Sequence, residues 1–563
     1  MKKVQRNWSW ALVLLLVVSV NVLAAKFHAR FDLTQENRYS ITTATKELLQ
    51  QPDDAIQVDL FLKGELPAEF RRLATSAQEF MAEMKEANPA KINYRVLDPT
   101  DDAGGRTWAD SLQAMGASPI NLNVQLKSGE ETRLVFPYAL LRYKGESTLV
   151  NLFPSSKRNV TVAELNNAES MMEYHFARSI DGLLHPQRPA VAYVIGNGEP
   201  TGPETYDLQQ TVGAQYRLGL FNLQSQPAIP MDIDVLLIVK PAVKFTDNEK
   251  LKLDQYVMKG GKILWFIDDL YAEHDSLSIK SQLIAYERGL NLEDLLFNYG
   301  VRINPDLLMD LQCDFLPFAV GGSRENPQYE FLHWNYFPLF ESPGNHLINK
   351  NLGLVAGRYV NSIDTVEAPG IRKTVLLQSS ANSRTISTPA LISPNENRNA
   401  PEDVLFRKKN IPAAVLLEGR FTSLYKNRVS RAQQDSLRSS GGYKEESELN
   451  RMIVVADGDI VLNDQSPQQG PLPMGLNFFT VGTNYEYQFA NRDFLLNCLE
   501  YLTSRSTIIQ TRNKEIVLRM LDVRKVDEEK GKWQLINIAL PILLIILFGF
   551  AYQQARRYRY AGR

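Results

Sequence analysis

Cysteine is almost missing from this 563-residue chain: there are two, Cys313 and Cys498, and none before them. That excludes a disulfide framework, and it excludes CxxC redox chemistry and thiolate metal sites from the first half. Histidine is scarce as well. The six, His28, His175, His185, His274, His333 and His346, show no i, i+4 pair and no zinc spacing, so no metal centre is expected. Neither sign of charge prevails. With 62 basic and 64 acidic side chains the formal net charge is −2, which leaves no whole-molecule field for nucleic acid. A complete phosphate loop is lacking too: Gly196-Asn-Gly198 falls short of GxGxxG, and Gly260-Gly-Lys262 has neither the opening glycine of a Walker loop nor a Ser/Thr after the lysine. Nucleotide hydrolysis is therefore not expected, nor is any cofactor.

Long apolar runs, by contrast, are present at both ends. Trp533 to Ala555 is uncharged over 23 residues. At about 1.5 Å per helical residue such a run reaches roughly 34 Å, enough to cross a hydrocarbon core of about 30 Å with some tilt. Pro541 near its first turns is compatible with a span. Arg556, Arg557, Arg559 and Arg563 follow it, so the basic-residue bias keeps the C-terminus in the cytoplasm. Asn7 to Ala25 is a second uncharged run, preceded by Lys2, Lys3 and Arg6. Val22 or Leu23 at the −3 position of a cleavage site after Ala24 or Ala25 argues for an uncleaved anchor over a signal peptide. The expectation is a two-span protein of the cytoplasmic (inner) membrane, in contact with membrane lipid, with both termini cytoplasmic and residues 26–532 periplasmic.

Between the runs, about 500 residues are too many for one core. The divisions expected are an anchor at 1–26, an α/β domain at 27–185, a second α/β domain at 186–510 with an insertion at about 384–446, a juxtamembrane helix at 511–532, a span at 533–555 and a basic tail at 556–563. In the first domain Ile56–Leu62 alternates as a strand, Pro67–Ala87 has helical spacing through Phe70, Leu73, Ala77, Phe80 and Met84, and Ile92–Leu97 is a second strand. Further strands around 120–152 complete an α/β unit, thioredoxin-like in outline, with an antiparallel edge. Where that fold carries its reactive pair this chain has Leu62-Lys-Gly-Glu-Leu-Pro67, so dithiol chemistry is excluded and an interaction domain is expected.

The second domain opens on Ala190–Ile195, continues through Ile233–Val239 and Ile263–Ile267 with helices between, and resumes at Arg451–Ala456. Continuous apolar strands bridged by helices imply a parallel sheet covered on both faces. Ligands of such sheets sit at the carboxyl ends of the strands, which makes Asn197, Glu199, Lys240, Asp268 and Asp269 the candidate ligand-binding residues. Each also has a structural role open to it. The glycine pair is a turn signal, Lys240 ends a strand before Pro241, and two adjacent aspartates cap the next element and point different ways in extended chain. Arg302–Lys350, rich in aromatics and proline, reads as loops over the sheet, and Tyr425–Glu446 as a polar mobile insertion.

RFDLTQENRYSIT after the first run, the IGNGEP turn, FTDNEKLKLDQYVMKGGKILWFID, NRDFLLNCLEYLT and WQLINIALPILL together resemble the auxiliary extracytoplasmic component of ABC-type transport systems associated with gliding motility. The resemblance implies a partner role beside a separate ATPase subunit and a polytopic permease. It also implies a central domain similar to class I glutamine amidotransferases, whose nucleophilic cysteine sits on the turn after a central strand. Here that turn is Phe266-Ile-Asp-Asp269, without a thiol, so a fold kept without its reaction is expected. The rival expectations are a receptor delivering a solute or glycan fragment to the permease, and a hydrolase using carboxylates at the strand ends.

Overall fold

The computed structural model of the chain describes residues 14–19, 21, 40–64, 66–100, 107–126, 129–153, 162–274, 282–323, 326–344, 346–350, 352–393, 403–428, 442–503, 508, 511 and 523–560. Most of the first apolar run, the connector 30–39, part of the stretch read as a mobile insertion (429–441) and most of the juxtamembrane segment lie outside these residues. The chain falls into two compact units, Met1–Glu515 and Ile516–Arg563.

The first unit begins with α1 (Thr43–Leu48), started by Thr42, whose hydroxyl accepts from the Thr45 amide. Then come β1 (Ile56–Leu60), α2 (Ala68–Ala87), β2 (Ile92–Val96), α3 (Trp108–Ala114), the hairpin β3 (Ile120–Leu126) and β4 (Gly129–Val135), the hairpin β5 (Tyr138–Tyr143) and β6 (Glu146–Asn151), and α4 (Val162–Leu184). The sheet order is β2-β1-β5-β6, with β1 parallel to β2 and antiparallel to β5. The helical spacing of α2 puts Phe70, Leu73, Ala77, Phe80 and Met84 on one buried face against Ile56, Val58 and Leu60. Asp59, next on β1, is buried but paired, accepting from Arg95 at 2.8 Å and from Arg142.

A seven-stranded sheet dominates the rest. It is built from β7 (Ala190–Ile195), α5 (Tyr206–Gln215), β8 (Arg217–Asn222), β9 (Val235–Val239), α6 (Asp247–Met258) and β10 (Lys262–Phe266), to which the later part of the chain adds three strands. Before those strands the chain makes β11 (Leu270–Tyr271), β12 (Leu283–Glu287), α7 (Glu293–Tyr299), β13 (Val301–Ile303), β14 (Asp306–Asp310), β15 (Cys313–Gly322), β16 (Pro327–Phe340), β17 (Val355–Ala356) and β18 (Ile363–Thr365). It then runs through β19 (Ile371–Gln378), β20 (Ser383–Ser387), β21 (Ala390–Ile392), β22 (Pro412–Thr422), β23 (Glu446–Val455) and α8 (Asn491–Thr503). The large sheet has the order β19-β22-β23-β10-β9-β7-β8. Its five strands from β8 to β23 are mutually parallel, and β22 and β19 add an antiparallel edge.

Both faces are covered, as the unbroken apolar strands require. Tyr193, Leu237, Leu264 and Val455 face Leu208 and Val212 of α5 and Phe494, Leu495 and Leu499 of α8. Ala192, Leu236, Trp265 and Val454 face Leu253 and Val257 of α6 and Leu295 and Leu296 of α7.

Two sequence expectations fail. Arg302–Lys350 is not a set of loops but mostly strand: β15 and β16 form a long antiparallel hairpin whose inner face adds Leu316, Phe318, Trp334 and Tyr336 to a separate core. Its prolines misled because Pro317 sits on the outer strand and Pro338 lies opposite Cys313 beside a register shift, the places a sheet tolerates them. Nor is 384–446 one insertion, since β22 within it is buried between β23 and β19. An eleven-residue apolar strand between two polar stretches was absorbed into them.

The second unit holds α9 (Val523–Tyr560), a single helix containing Pro541. Among the described residues it alone is long and apolar enough to cross a membrane.

At the antiparallel edge, Gly419 has φ +149°, and a Cβ there would lie 2.0 Å from the carbonyl oxygen of Gly370. Neither backbone can yield without breaking the β19–β22 ladder. Gly419→Ala is therefore expected to destabilise the central domain by about 3 kcal/mol, read as a lower urea midpoint at unchanged slope.

Candidate functional site

Among the parallel strands, β8 lies on one side of β7 and β9, β10 and β23 on the other, so the order reverses between β7 and β9. The crevice outside the carboxyl ends of those two strands is where this kind of sheet holds a ligand. Here the two loops are joined across it. The Asn197 carbonyl accepts from the amides of Ala242 and Val243, both at 2.8 Å. Gly198 lies so close to Ala242 that a Cβ on it would sit 3.1 Å from the Ala242 Cβ.

The candidate residues sort into three places. Asn197 and Glu199 stay together on their turn: the Asn197 amide donates to Glu199 Oε2 at 2.7 Å, and Asn197 Nδ2 donates to Glu249 Oε2 at 3.3 Å. Glu249 is itself the third residue of the α6 capping box, accepting from the Thr246 amide at 2.7 Å. Burial pushes the Glu199 carboxyl up to about 7, against the pull of the backbone amides of Glu199, Asn197 and Gly196. The carboxylate of Glu199 thus occupies the amides that a phosphate would need.

Lys240 and Asp268 come together around a buried ammonium. Lys240 takes up a left-handed backbone, φ +46°, and its Nζ lies 2.6 Å from Asp459, 3.0 Å from Glu273 and 3.2 Å from Asp268. Burial alone would lower its proton affinity, but the three carboxylates outweigh it and hold Lys240 well above its ordinary value. Asp268 also accepts from the Gly458 amide. Only glycine fits at 458, because a Cβ there would stand 2.6 Å from the Lys240 Cβ. Glu273 is shared with Arg288 at 2.6 Å. Asp269, on the other face of the extended chain, is separated from its neighbour as alternation demands. Its amide donates to Asn361 Oδ1 at 3.0 Å, and burial together with Glu287 and Glu293 pushes its carboxyl up to about 7.

Sequence reasoning passed over the most buried acid of this edge. Asp457, just past the end of β23, accepts from the amides of Asp459 at 2.7 Å and Arg358 at 2.8 Å. Burial, then Asp268 and Asp459, push its carboxyl well above the ordinary value. Arg358 was missed as well, since nothing local distinguishes it. Its guanidinium makes a two-pronged pair with Asp464, both contacts 2.6 Å, and lies over the Phe337 ring at 5.2 Å. Beside it is a cavity of about 20 Å³ lined by Asp314, Arg358, Asp459, Asp464, Asn477 and Asn491 among others. That is room for one water.

The arrangement ties strand ends to one another. The charged groups around Lys240 are satisfied by other groups of the same edge, and the turn after β10 offers no hydroxyl or thiol. Cys313 and Cys498 are both free and buried, and burial pushes both thiols up, so neither is a ready nucleophile.

Residues 188–498 match the family described as an ABC-type uncharacterized transport system, auxiliary component. The chain belongs to that family. The match takes in the whole seven-stranded sheet of this ABC transport auxiliary protein, from just before β7 into α8, and with it the ion cluster around Lys240. A domain of unknown function (DUF7088) matches residues 35–142, covering α1 to β5. No curated protein matches the chain. Among solved structures it is similar to the mmIFT52 N-terminal domain, at 13% identity over 56% of this chain and 97% of that one, with a TM-score of 0.31. It is also similar to the exo-beta-1,4-mannosidase Op5Man5 from Opitutaceae bacterium strain TAV5, at 11% identity over 69% of this chain and 45% of that one, with a TM-score of 0.19.

Two outcomes are expected at this edge. Lys240→Met leaves Asp268 and Asp459 buried without their cation, which should cost about 4 kcal/mol, and acidification should recover part of the loss. The second concerns pH. A carboxyl that holds its proton more tightly folded than unfolded contributes stability below its unfolded value and loses it as pH rises through its folded value. For Glu199 that window runs from 4.5 to about 7. The thermal midpoint should therefore fall between those limits, and Glu199→Gln with Asp269→Asn should flatten the fall.

Proposed function

We propose that this chain is a membrane-anchored, non-enzymatic auxiliary subunit that works with a separate ATPase subunit and a polytopic permease subunit of an ABC transporter in gliding motility. The observation that carries this reading is the family match over the sheet, together with the closed crevice at that sheet's strand ends. A domain whose ligand position is occupied by its own backbone hydrogen bonds, and whose buried ammonium is taken up by three of its own carboxylates, is suited to presenting a surface. It is poorly suited to turnover or to solute delivery. Asn197, Glu199, Asp268 and Asp269 accordingly serve the architecture. The sequence motifs resemble the gliding-motility protein GldG in particular, and that likeness motivates the assignment to gliding.

In the same reading the four-stranded sheet, in the order β2-β1-β5-β6, is a thioredoxin-like domain without redox cysteines, and the large sheet is an amidotransferase-like domain without its nucleophile. Both apolar runs cross the inner membrane and the bulk of the chain is periplasmic. Protease added to spheroplasts should then degrade the folded unit while leaving the C-terminal arginines protected.

The partnership is tested by purifying tagged full-length protein in several mild detergents. The ATPase and the permease should co-purify in a constant ratio, and truncation after Glu515 should lose them. Recovery of the full chain without either partner in every detergent overturns the assignment.

A further inference from the structure

The seven-stranded sheet ends in two strands of opposite character. β19 closes one side with Arg372 beside Lys373 and with register shifts between Val375 and Leu377 and between Leu377 and Gln378. Charge and an irregular ladder are the means by which a sheet edge is kept from pairing with another chain. β8 closes the other side as Arg217-Leu-Gly-Leu-Phe-Asn222. It carries one charge, at its first residue, and its ladder to β7 runs through all six residues without a shift.

The backbone of β8 is open outward. The Arg217 amide donates to the Pro189 carbonyl at 2.9 Å and the Leu223 amide to the Ile195 carbonyl at 3.0 Å, so the odd-numbered amides face β7. By the two-residue period of a strand, the amides and carbonyls of Leu218, Leu220 and Asn222 point away from the sheet. Leu220 is 66% exposed, and a Cβ on Gly219 would meet nothing within 4 Å. Leu218, on the same face as Leu220, packs into the core under α5. The outer side of α5 continues the patch without charge: Tyr206, Gln209, Gln210 and Ala214 are exposed and Gly213 has open space around it, while the single charged residue of the helix, Asp207, is paired with Arg492 at 2.6 Å. The solvent face of a surface helix is ordinarily charged or strongly polar.

We propose that β8 pairs antiparallel with β8 of a second copy of this chain, about a two-fold axis at Leu220, joining two seven-stranded sheets into one. Unpaired strand backbone is covered only by another extended strand, and a two-fold contact must be complementary to itself. In this register the edge is. Leu220 exchanges both backbone hydrogen bonds with Leu220 of the copy, Leu218 lies opposite Asn222, and Phe221 lies opposite Gly219, which has no side chain to crowd it. Arg217 falls opposite Leu223, so no charge meets its like across the axis. The two uncharged α5 faces flank the Leu220 pair. An extended segment of a different protein would satisfy the same backbone, but the match of the edge with itself favours the copy.

Single cysteines in the full-length chain test the register, since Cys313 and Cys498 are both buried. Leu220→Cys places two Cα atoms about 5.5 Å apart across the axis, whereas Arg217→Cys leaves them about 20 Å apart. In membranes of cells expressing the chain alone, a short bifunctional thiol reagent should join Leu220→Cys into a homodimer about tenfold more efficiently than Arg217→Cys. Leu220→Lys should halve the mass of the detergent-solubilised protein while keeping a cooperative thermal transition. Equal crosslinking at the two positions, crosslinking at neither, or a Leu220→Cys product that contains a different protein overturns the proposal. None of these readouts depends on recovering the ATPase or the permease, so their failure is distinguishable from failure of the auxiliary-subunit assignment.

Discussion

One ammonium group is the point on which the central domain turns. Lys240 ends β9, and its Nζ reaches Asp268 beyond β10, Asp459 beyond β23 and Glu273 on the way to the outer hairpins. Parallel strands leave their carboxyl ends as unconnected loops, and here a single buried cation collects three of them. Burying such a group among apolar atoms alone would be prohibitive, while pairing it with one carboxylate would roughly break even. Three carboxylates, one of which also takes a backbone amide and another an arginine, tilt the balance toward a fixed arrangement. The left-handed turn at Lys240 and the bare Cα at Gly458 are the local concessions that let the side chain lie where it does.

The same edge explains why a fold that elsewhere holds ligands offers no open crevice between β7 and β9. The loops that would flank a ligand are hydrogen-bonded to each other, and the amides that would receive an anion are taken by Glu199. Membership of a transport auxiliary family and a strand-end region closed on itself are consistent at the level of physics: interactions that would bind a substrate are used to hold the scaffold. Helix α4 adds a constraint of another kind, since neighbouring positions of one helix must satisfy Arg72, Thr42, Thr45, Glu500 and Gln215.

Much of this architecture was legible in residue order. The strands at Ala190–Ile195, Val235–Val239 and Lys262–Phe266 follow from unbroken apolar runs, and α2 from its helical periodicity. The separation of Asp268 from Asp269 followed from alternation alone. What could not be read was pairing over distance. β22 looked like part of a polar insertion because its role depends on lying beside β23, and β16 looked like loop because its prolines are harmless only at the register and edge positions they occupy. Arg358 and Asp457 gave no local signal, for their importance comes from what surrounds them.

By itself, then, the order of residues determined the classes of element, the alternation of sheet and helix, the apolar runs at both ends and the lack of a thiol or phosphate loop where chemistry would need one. These are properties of neighbours along the chain, governed by side-chain period, backbone preference and hydropathy over a few turns. Tertiary structure alone decided that Lys240 would meet Asp459, that the β7–β9 crevice would close, and that Ile508 would join the core begun at Ile41. Those contacts join segments from tens to hundreds of residues apart, and their energies depend on burial and distance, neither of which is written in any short stretch of sequence.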